Sequence, residues 1–206
     1  LNFIICFFFI LRSEFSDKFL YSIIRMFEYF LRTSFFVYPA VGHEKYPAAI
    51  LTDGVISASF TVQTGAHSVT LLPMIENMLS LSGLRYSDID VYAAVCGPGS
   101  FTGVRIGVST IKGLAFAGQV PCVGVSALDA MAENLRGVDG LIVPVIDARR
   151  DMVYTSVWHS CTDGTLERLI DDCQIATAEL CDILKQYDGQ NIYFAGDAYE
   201  RMVSHE

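Results

Sequence analysis

Long apolar runs, paired cysteines, clustered histidines and basic residues are all scarce in this sequence. Its longest apolar run, LNFIICFFFIL, opens the chain and is broken at Arg12. A membrane-spanning helix needs about 20 such residues, so no transmembrane segment is expected. A secretory signal is not expected either, because no basic stretch precedes the run and no Ala-x-Ala site follows it. The six cysteines (Cys6, Cys96, Cys122, Cys161, Cys173 and Cys181) form no Cys-x-x-Cys pair, which argues against a zinc ribbon and for free thiols in a reducing cytosol. His43, His67, His159 and His205 stand apart from any ligand at helical spacing, so no metal site is expected. With 14 Lys+Arg against 23 Asp+Glu the net charge is −9, which disfavours a protein that grips nucleic-acid phosphates over a broad face of its own.

Glycine is nearly missing from the front of the chain. Residues 1–42 hold one of the 16 glycines, Gly42, but 10 of the 14 phenylalanines. That stretch carries four basic and three acidic side chains, a charge of +1, which leaves 43–206 with ten against twenty, or −10. Aromatic density of this kind suits no ordinary soluble element. Three readings stay open for 1–42: an interfacial amphipathic anchor, a lipid-facing fragment, or residues foreign to the native coding sequence. The last is preferred, and no chemistry is assigned there.

From Lys45 the pattern becomes regular. AAILTDGVISASFTV (48–62) reads as two strands around a tight Asp53-Gly54 turn. HSVTLLPMIENMLSLSG (67–83) reads as a helix through Leu71, Leu72, Ile75, Met78 and Leu79, stopped by Gly83, with Pro73 in its first turn or at a kink. A buried strand over 88–96, a glycine-rich loop, a helix over 102–117, a strand over 121–126 and a helix over 127–135 complete a first lobe, 43–136. A second, 137–206, opens with strands over 141–147 and 152–158 joined by the turn ARRD (148–151). It continues with a strand over 166–176, a short helix capped by Thr177 and a strand over 191–197. Strands alternating with helices predict an α/β architecture with parallel pairing after the opening hairpin.

The loop GPGSFTGVRIG (97–107) is the most informative stretch. Gly97 and Gly99 allow a sharp turn and a close approach. The N–H groups of 100–103 open a helix, whose positive end suits an anion. No Gly-Lys-Ser/Thr follows, which excludes a P-loop, and Gly103 falls one place late for a dinucleotide fingerprint. A phosphate-type loop of Gly97, Gly99, Ser100 and Thr102, and a plain strand–helix turn with a Ser/Thr cap, both stay open. In the helix that follows, Val104, Val108, Ile111 and Ala115 form a core stripe, with Gly103 and Gly107 four apart on an adjacent face. Each helical glycine costs about 1 kcal/mol relative to alanine, a cost that a close-packed partner helix would justify. The 67–83 helix leaves only a narrow polar face, so an interaction surface is expected on these two helices.

These residues resemble the TsaB (YeaZ) family, the bacterial partner proteins in tRNA threonylcarbamoyladenosine modification. HSVTLLPMIENML, GPGSFTGVRIG with KGLA after it, PCVGVSALDAMA and VIDARRDMVY occur in that family's order and spacing, over about residues 44–200. The resemblance implies an α/β fold of the actin-like/Hsp70-like ATPase (ribonuclease H-like) type with two lobes. It implies a cytoplasmic, non-catalytic subunit that dimerises with and positions a TsaD-like catalytic subunit, which modifies adenosine 37 of tRNA, while a TsaE-like ATPase joins the assembly. No cofactor is then expected on this chain itself: ATP or ADP and a metal belong to the partner subunits. The tRNA is touched only indirectly, no membrane is involved, and the chain alone could form a homodimer.

Carried over by position, the resemblance places the partner interface on Leu72, Met74, Ile75 and Met78 of one helix. On the next it places Gly103, Arg105, Gly107 and Thr110. The catalytic sister's two metal-binding histidines fall on Ala127 and Met131, which hold no metal. Its second glycine-rich phosphate loop falls on a second-lobe turn of Asp147, Ala148, Arg149 and Arg150. Metal and phosphate chemistry are therefore both expected to be absent. The family's first strand, ending in an Asp-Thr-Ser-like loop, would fall near 40–42, where this chain has no such motif. A central strand would then come from 35–41, and the second lobe is expected to be incomplete. The alternative function is a nucleotide-dependent phosphotransferase or hydrolase of the same fold using the 97–103 loop. The older glycoprotease label for this superfamily finds no nucleophile–base or metal-ligand pair here. A membrane-anchored binding module would rest wholly on residues 1–36.

Overall fold

The structure, a computed structural model, describes residues 33–37, 45–52, 55–63 and 67–203. Among these the chain divides into two compact units, 33–127 and 128–203. The first begins with β1 (Thr33–Val37), β2 (Lys45–Thr52) and β3 (Val55–Gln63). Thr52 faces Val55 across the antiparallel β2–β3 ladder, which leaves two residues for the connection. The Asp53-Gly54 turn itself lies outside the described residues, as do 1–32 with their three readings.

Next come α1 (His67–Leu81), β4 (Val91–Gly97), α2 (Phe101–Gly118) and β5 (Cys122–Ser126). The sheet runs β3-β2-β1-β4-β5, antiparallel from β1 to β3 and parallel from β1 through β5. The central place belongs to β1, where Phe35 faces Ile50 on one side and Tyr92 on the other. That strand is TSFFV, slightly ahead of the 35–41 expected. Its aromatic and β-branched residues suit a strand, whereas Pro39 has no N–H to give a central ladder. Val91–Val95 is buried without a break, as a strand covered on both faces must be. Leu71, Ile75 and Met78 of α1 meet Ile111 and Ala115 of α2 over Ile50 and Tyr92. Pro73 sits in the second turn of α1 rather than the first, on the exposed side.

The second unit comprises α3 (Ala127–Glu133), β6 (Gly140–Asp147), β7 (Met152–Ser160), β8 (Leu166–Ala176), α4 (Thr177–Leu184), β9 (Ile192–Ala195) and α5 (Tyr199–Val203). Its sheet, β8-β7-β6-β9, is antiparallel from β6 to β8 and parallel between β6 and β9. It repeats the arrangement β3-β2-β1-β4 of the first unit. The division falls at 127/128, not at 136/137. Helix α3 belongs with the second unit because Asp129 pairs with Arg168 of β8, and Ala132 and Leu135 pack with Ile142 and Tyr193. Helix α5, unanticipated, buries Met202 in the same unit's core. Thr177 is not the cap of α4. It is the first helical residue, after Ala176, and its hydroxyl is engaged elsewhere.

Candidate functional site

The loop after β4 is a capped strand–helix turn. Gly97 has φ +108, a backbone region that glycine occupies without the steric cost of a Cβ. A Cβ at Gly99 would meet only Val104 Cγ2, at 3.8 Å, so no close approach demands glycine there. The Ser100 hydroxyl accepts from the Gly103 N–H at 3.4 Å, and the Ser100 carbonyl accepts from Val104 at 2.8 Å. Ser100 is therefore the N-cap of α2. Gly97, Gly99, Ser100 and Thr102 are brought together, but Ser100 and one N–H of the expected anion cradle are used in capping.

The expected partner faces are corrected in detail. Met74, Ile75 and Met78 are buried in the core of the first unit, and only Leu72 of that group is exposed. The residues 71, 74, 75, 78 and 79 form one apolar helical stripe, which packs inward. Gly103 and Gly107 are also buried, in line with Ile111 and Ala115, so the glycine stripe faces inward. Val104 and Val108, expected in the core, are only half-buried, and so is Thr110. Arg105 is exposed and stacks over the Phe101 ring, 3.7 Å from its centroid.

Of the residues these helices present outward, Leu72 and Arg105 were expected at the interface, whereas Phe101, Lys112 and Phe116 were missed. Phe101 is 70% exposed and Phe116 is 87% exposed. At 3.6 residues per turn, Phe101, Arg105, Lys112 and Phe116 lie within about 60° of one another around α2. The signal was in the spacing of the two phenylalanines with the two cations. The inward pull of Gly103 and Gly107 hid it.

The second-lobe turn is built differently from a glycine loop. Arg149, Arg150 and Asp151 all have positive φ, at 64°, 52° and 59°. The Ala148 N–H donates to the Met152 carbonyl at 3.0 Å, and the Met152 N–H donates to the Arg149 carbonyl at 3.0 Å. The Asp147 carboxylate accepts from the Arg149 N–H at 2.6 Å and pairs with Arg201 at 2.9 Å. The Asp147 N–H donates to Asp197 Oδ1 at 2.9 Å. Asp197 is partly open to solvent, yet desolvation by its surroundings lifts its carboxyl above 3.8, against the lowering effect of that N–H. Gly196, with φ +127, brings the two strand ends together: a Cβ there would run into the Val145 carbonyl oxygen and lie 2.8 Å from Met131 Cε. Sequence reasoning found Asp147, Arg149 and Arg150, but not Thr177, Asp197 or Arg201, which hold the turn from distant segments. Ala127 and Met131 are buried. Among the described residues no group of three or more His, Cys, Asp or Glu could hold a metal, and no helix is long and apolar enough to cross a membrane.

Comparison with known proteins gives this architecture a family. Residues 55–202 match the family model of TsaD, tRNA N6-adenosine threonylcarbamoyltransferase. The tRNA threonylcarbamoyladenosine biosynthesis protein TsaB of Bacillus subtilis is 35% identical over 150 residues, 73% of this chain and 65% of that protein. TsaB of Escherichia coli is 36% identical over 126 residues, 56% of this chain and 54% of its own length. The chain thus spans about two thirds or less of these curated relatives. The solved structure of YeaZ from Pseudomonas aeruginosa superposes with a TM-score of 0.59 at 30% identity, covering 71% of this chain and 68% of that one. The fold is α/β, as the resemblance implied, and superposes on that of YeaZ, with a hairpin-plus-parallel-pair arrangement present in both sheets. By sequence, by family model and by fold, the chain belongs to the TsaB/YeaZ family.

Proposed function

We propose that this chain is the supporting, non-catalytic subunit of the machinery that makes N6-threonylcarbamoyladenosine in tRNA. In this reading it pairs with and positions a TsaD-like catalytic subunit, and a TsaE-like ATPase joins the assembly. The carrying observation is the outward stripe of Phe101, Arg105, Lys112 and Phe116 on α2. The two exposed rings supply apolar area and Arg105 a guanidinium, residue types enriched at interfaces. Capping by Ser100 supports a positioning role, because the cap uses part of the loop that a phosphotransferase would aim at phosphate. ATP or ADP and the metal sit on the partner subunits, and the complex works in the cytoplasm.

The test is co-purification of the tagged full chain with the threonylcarbamoyltransferase of the same organism, together with nucleoside mass spectrometry of tRNA. Phe101→Ser with Phe116→Ser is expected to break the complex and lower the modified nucleoside while the melting temperature stays within a few degrees. An intact complex would overturn the interface. Unchanged modification after depletion of the chain would overturn the function.

A further inference from the structure

The second unit holds six Lys and Arg among the described residues, and four of them are neutralised. Arg136 pairs with Glu133, Arg168 with Asp129 and Asp172, Lys185 with Asp182, and Arg201 with Asp147. Arg149 and Arg150 are the exceptions: both are exposed, and among the described residues neither guanidinium has an ion-pair or hydrogen-bond partner. This is not for want of carboxylates. Asp147 lies two residues before Arg149, but its oxygens are taken by the Arg149 N–H and by Arg201. Asp147 thus shapes the turn, and Asp151, directly after Arg150, is exposed and forms no ion pair with either arginine among the described residues.

The backbone carries the same message. Three consecutive non-glycine residues occupy the left-handed region, at about 1–2 kcal/mol each. Glycine would adopt those angles without that cost. Strained residues persist where the surroundings over-determine them. Here the Thr177 N–H and hydroxyl both donate to the Asp151 carbonyl, at 2.9 and 3.0 Å. Two cross-turn hydrogen bonds close the loop. A turn held this firmly, at a cost that glycine would remove, is explained by the side chains it displays.

We propose that Arg149 and Arg150 form a phosphate-contacting pair, through which the second lobe touches the tRNA backbone directly at one or two phosphates. The proposal rests on the tRNA-modifying reading above and departs from its indirect contact with tRNA. Planar guanidinium forks match phosphate oxygens bidentately. The net charge of −9 opposes an extended polyanion contact but leaves room for a two-cation point contact. The phosphate could equally belong to a nucleotide, and the experiment separates the two sources.

Binding of tRNA by the full chain, alone and mixed with the threonylcarbamoyltransferase of the same organism, is measured across a salt series. Each cation–phosphate contact contributes roughly 0.7–0.9 to the slope of log K against log salt, so Arg149→Gln with Arg150→Gln should flatten that slope by about 1.4 to 1.8. Arg149→Lys with Arg150→Lys should keep the slope while weakening binding, which separates lost charge from a damaged turn. ATP, AMP and inorganic phosphate are titrated in parallel. Weaker ATP binding by the Gln pair with an unchanged tRNA slope would assign the phosphate to a nucleotide and overturn the RNA contact. If neither binding changes, or if only co-purification with the protein partner is lost, the phosphate pair is wrong. Retained complex and retained tRNA modification alongside that result would leave the subunit reading standing, so the two failures are distinguishable.

Discussion

Thr177 donates twice to a single acceptor: its backbone N–H and its hydroxyl both reach the Asp151 carbonyl, at 2.9 and 3.0 Å. The residue is buried, so this pair of bonds fixes the left-handed turn from the start of α4. Thr177→Val keeps the shape and the N–H bond but removes the hydroxyl. The carbonyl is not orphaned, so the expected loss is about 1 kcal/mol. Hydrogen exchange should locate the effect, with the Ala148 and Met152 amides exchanging faster while those of the α1 core stay protected. Uniform acceleration across the chain would mean that Thr177 matters only for global stability.

Much of the fold was legible in the sequence because its strands and helices repeat local patterns. The β2–β3 hairpin followed from apolar runs on either side of Asp53-Gly54, and β6 from LIVPVID. What was misjudged depended on direction rather than on element type. Leu71, Leu72, Met74, Ile75 and Met78 are all apolar, and spacing alone could not show that Leu72 alone of these faces out. Gly103 and Gly107 were correctly placed on one helical face, but tertiary packing made it the inner one. Thr177 reads as a helix cap by residue type. Its true acceptor is 26 residues away, which no local pattern reports. The 127/128 division was missed for the same reason, since the Asp129–Arg168 pair that ties α3 to β8 spans 39 residues.

Met78 separates core from interface. It is fully buried beside Leu71, Ile75 and Ile111, so Met78→Ala should cost about 2–5 kcal/mol through lost transfer energy and a residual cavity. Urea unfolding checks this, with the midpoint moving and the slope constant. Partner binding by the folded fraction should be unchanged. A variant of native stability that loses its partner would return Met78 to the interface.

The two loop glycines should respond in opposite ways. Gly97→Ala places a Cβ on a residue at φ +108, and the strain should cost about 1–2 kcal/mol. Gly99 has ordinary contact distance to Val104 and no left-handed φ, so Gly99→Ala should stay within about 0.5 kcal/mol. Paired thermal melts decide it. Equal losses at both positions would mean that a close approach at Gly99, rather than backbone angle at Gly97, shapes the loop.

Arg168 gives a pH-dependent prediction. Its guanidinium lies over Trp158, 4.2 Å from the ring centroid, and pairs with Asp129 and with Asp172 at 2.9 Å. Desolvation holds the Asp129 carboxyl above 3.8 even so, with Asp172 and Glu133 adding to the rise and Arg168 opposing it. A carboxyl raised on folding binds protons in the folded state, so its ionisation subtracts stability as pH climbs from its ordinary value through its folded one. Arg168→Gln removes the opposing charge and should raise Asp129 further. The variant's deficit should therefore be largest at neutral pH, at about 1–3 kcal/mol for a partly buried charge left without its partner. It should shrink as pH falls through the raised range of Asp129, where the carboxyl takes up its proton. Denaturant unfolding at neutral and acidic pH measures the difference. A deficit that does not change with pH would assign the role of Arg168 to its stacking on Trp158 and not to Asp129.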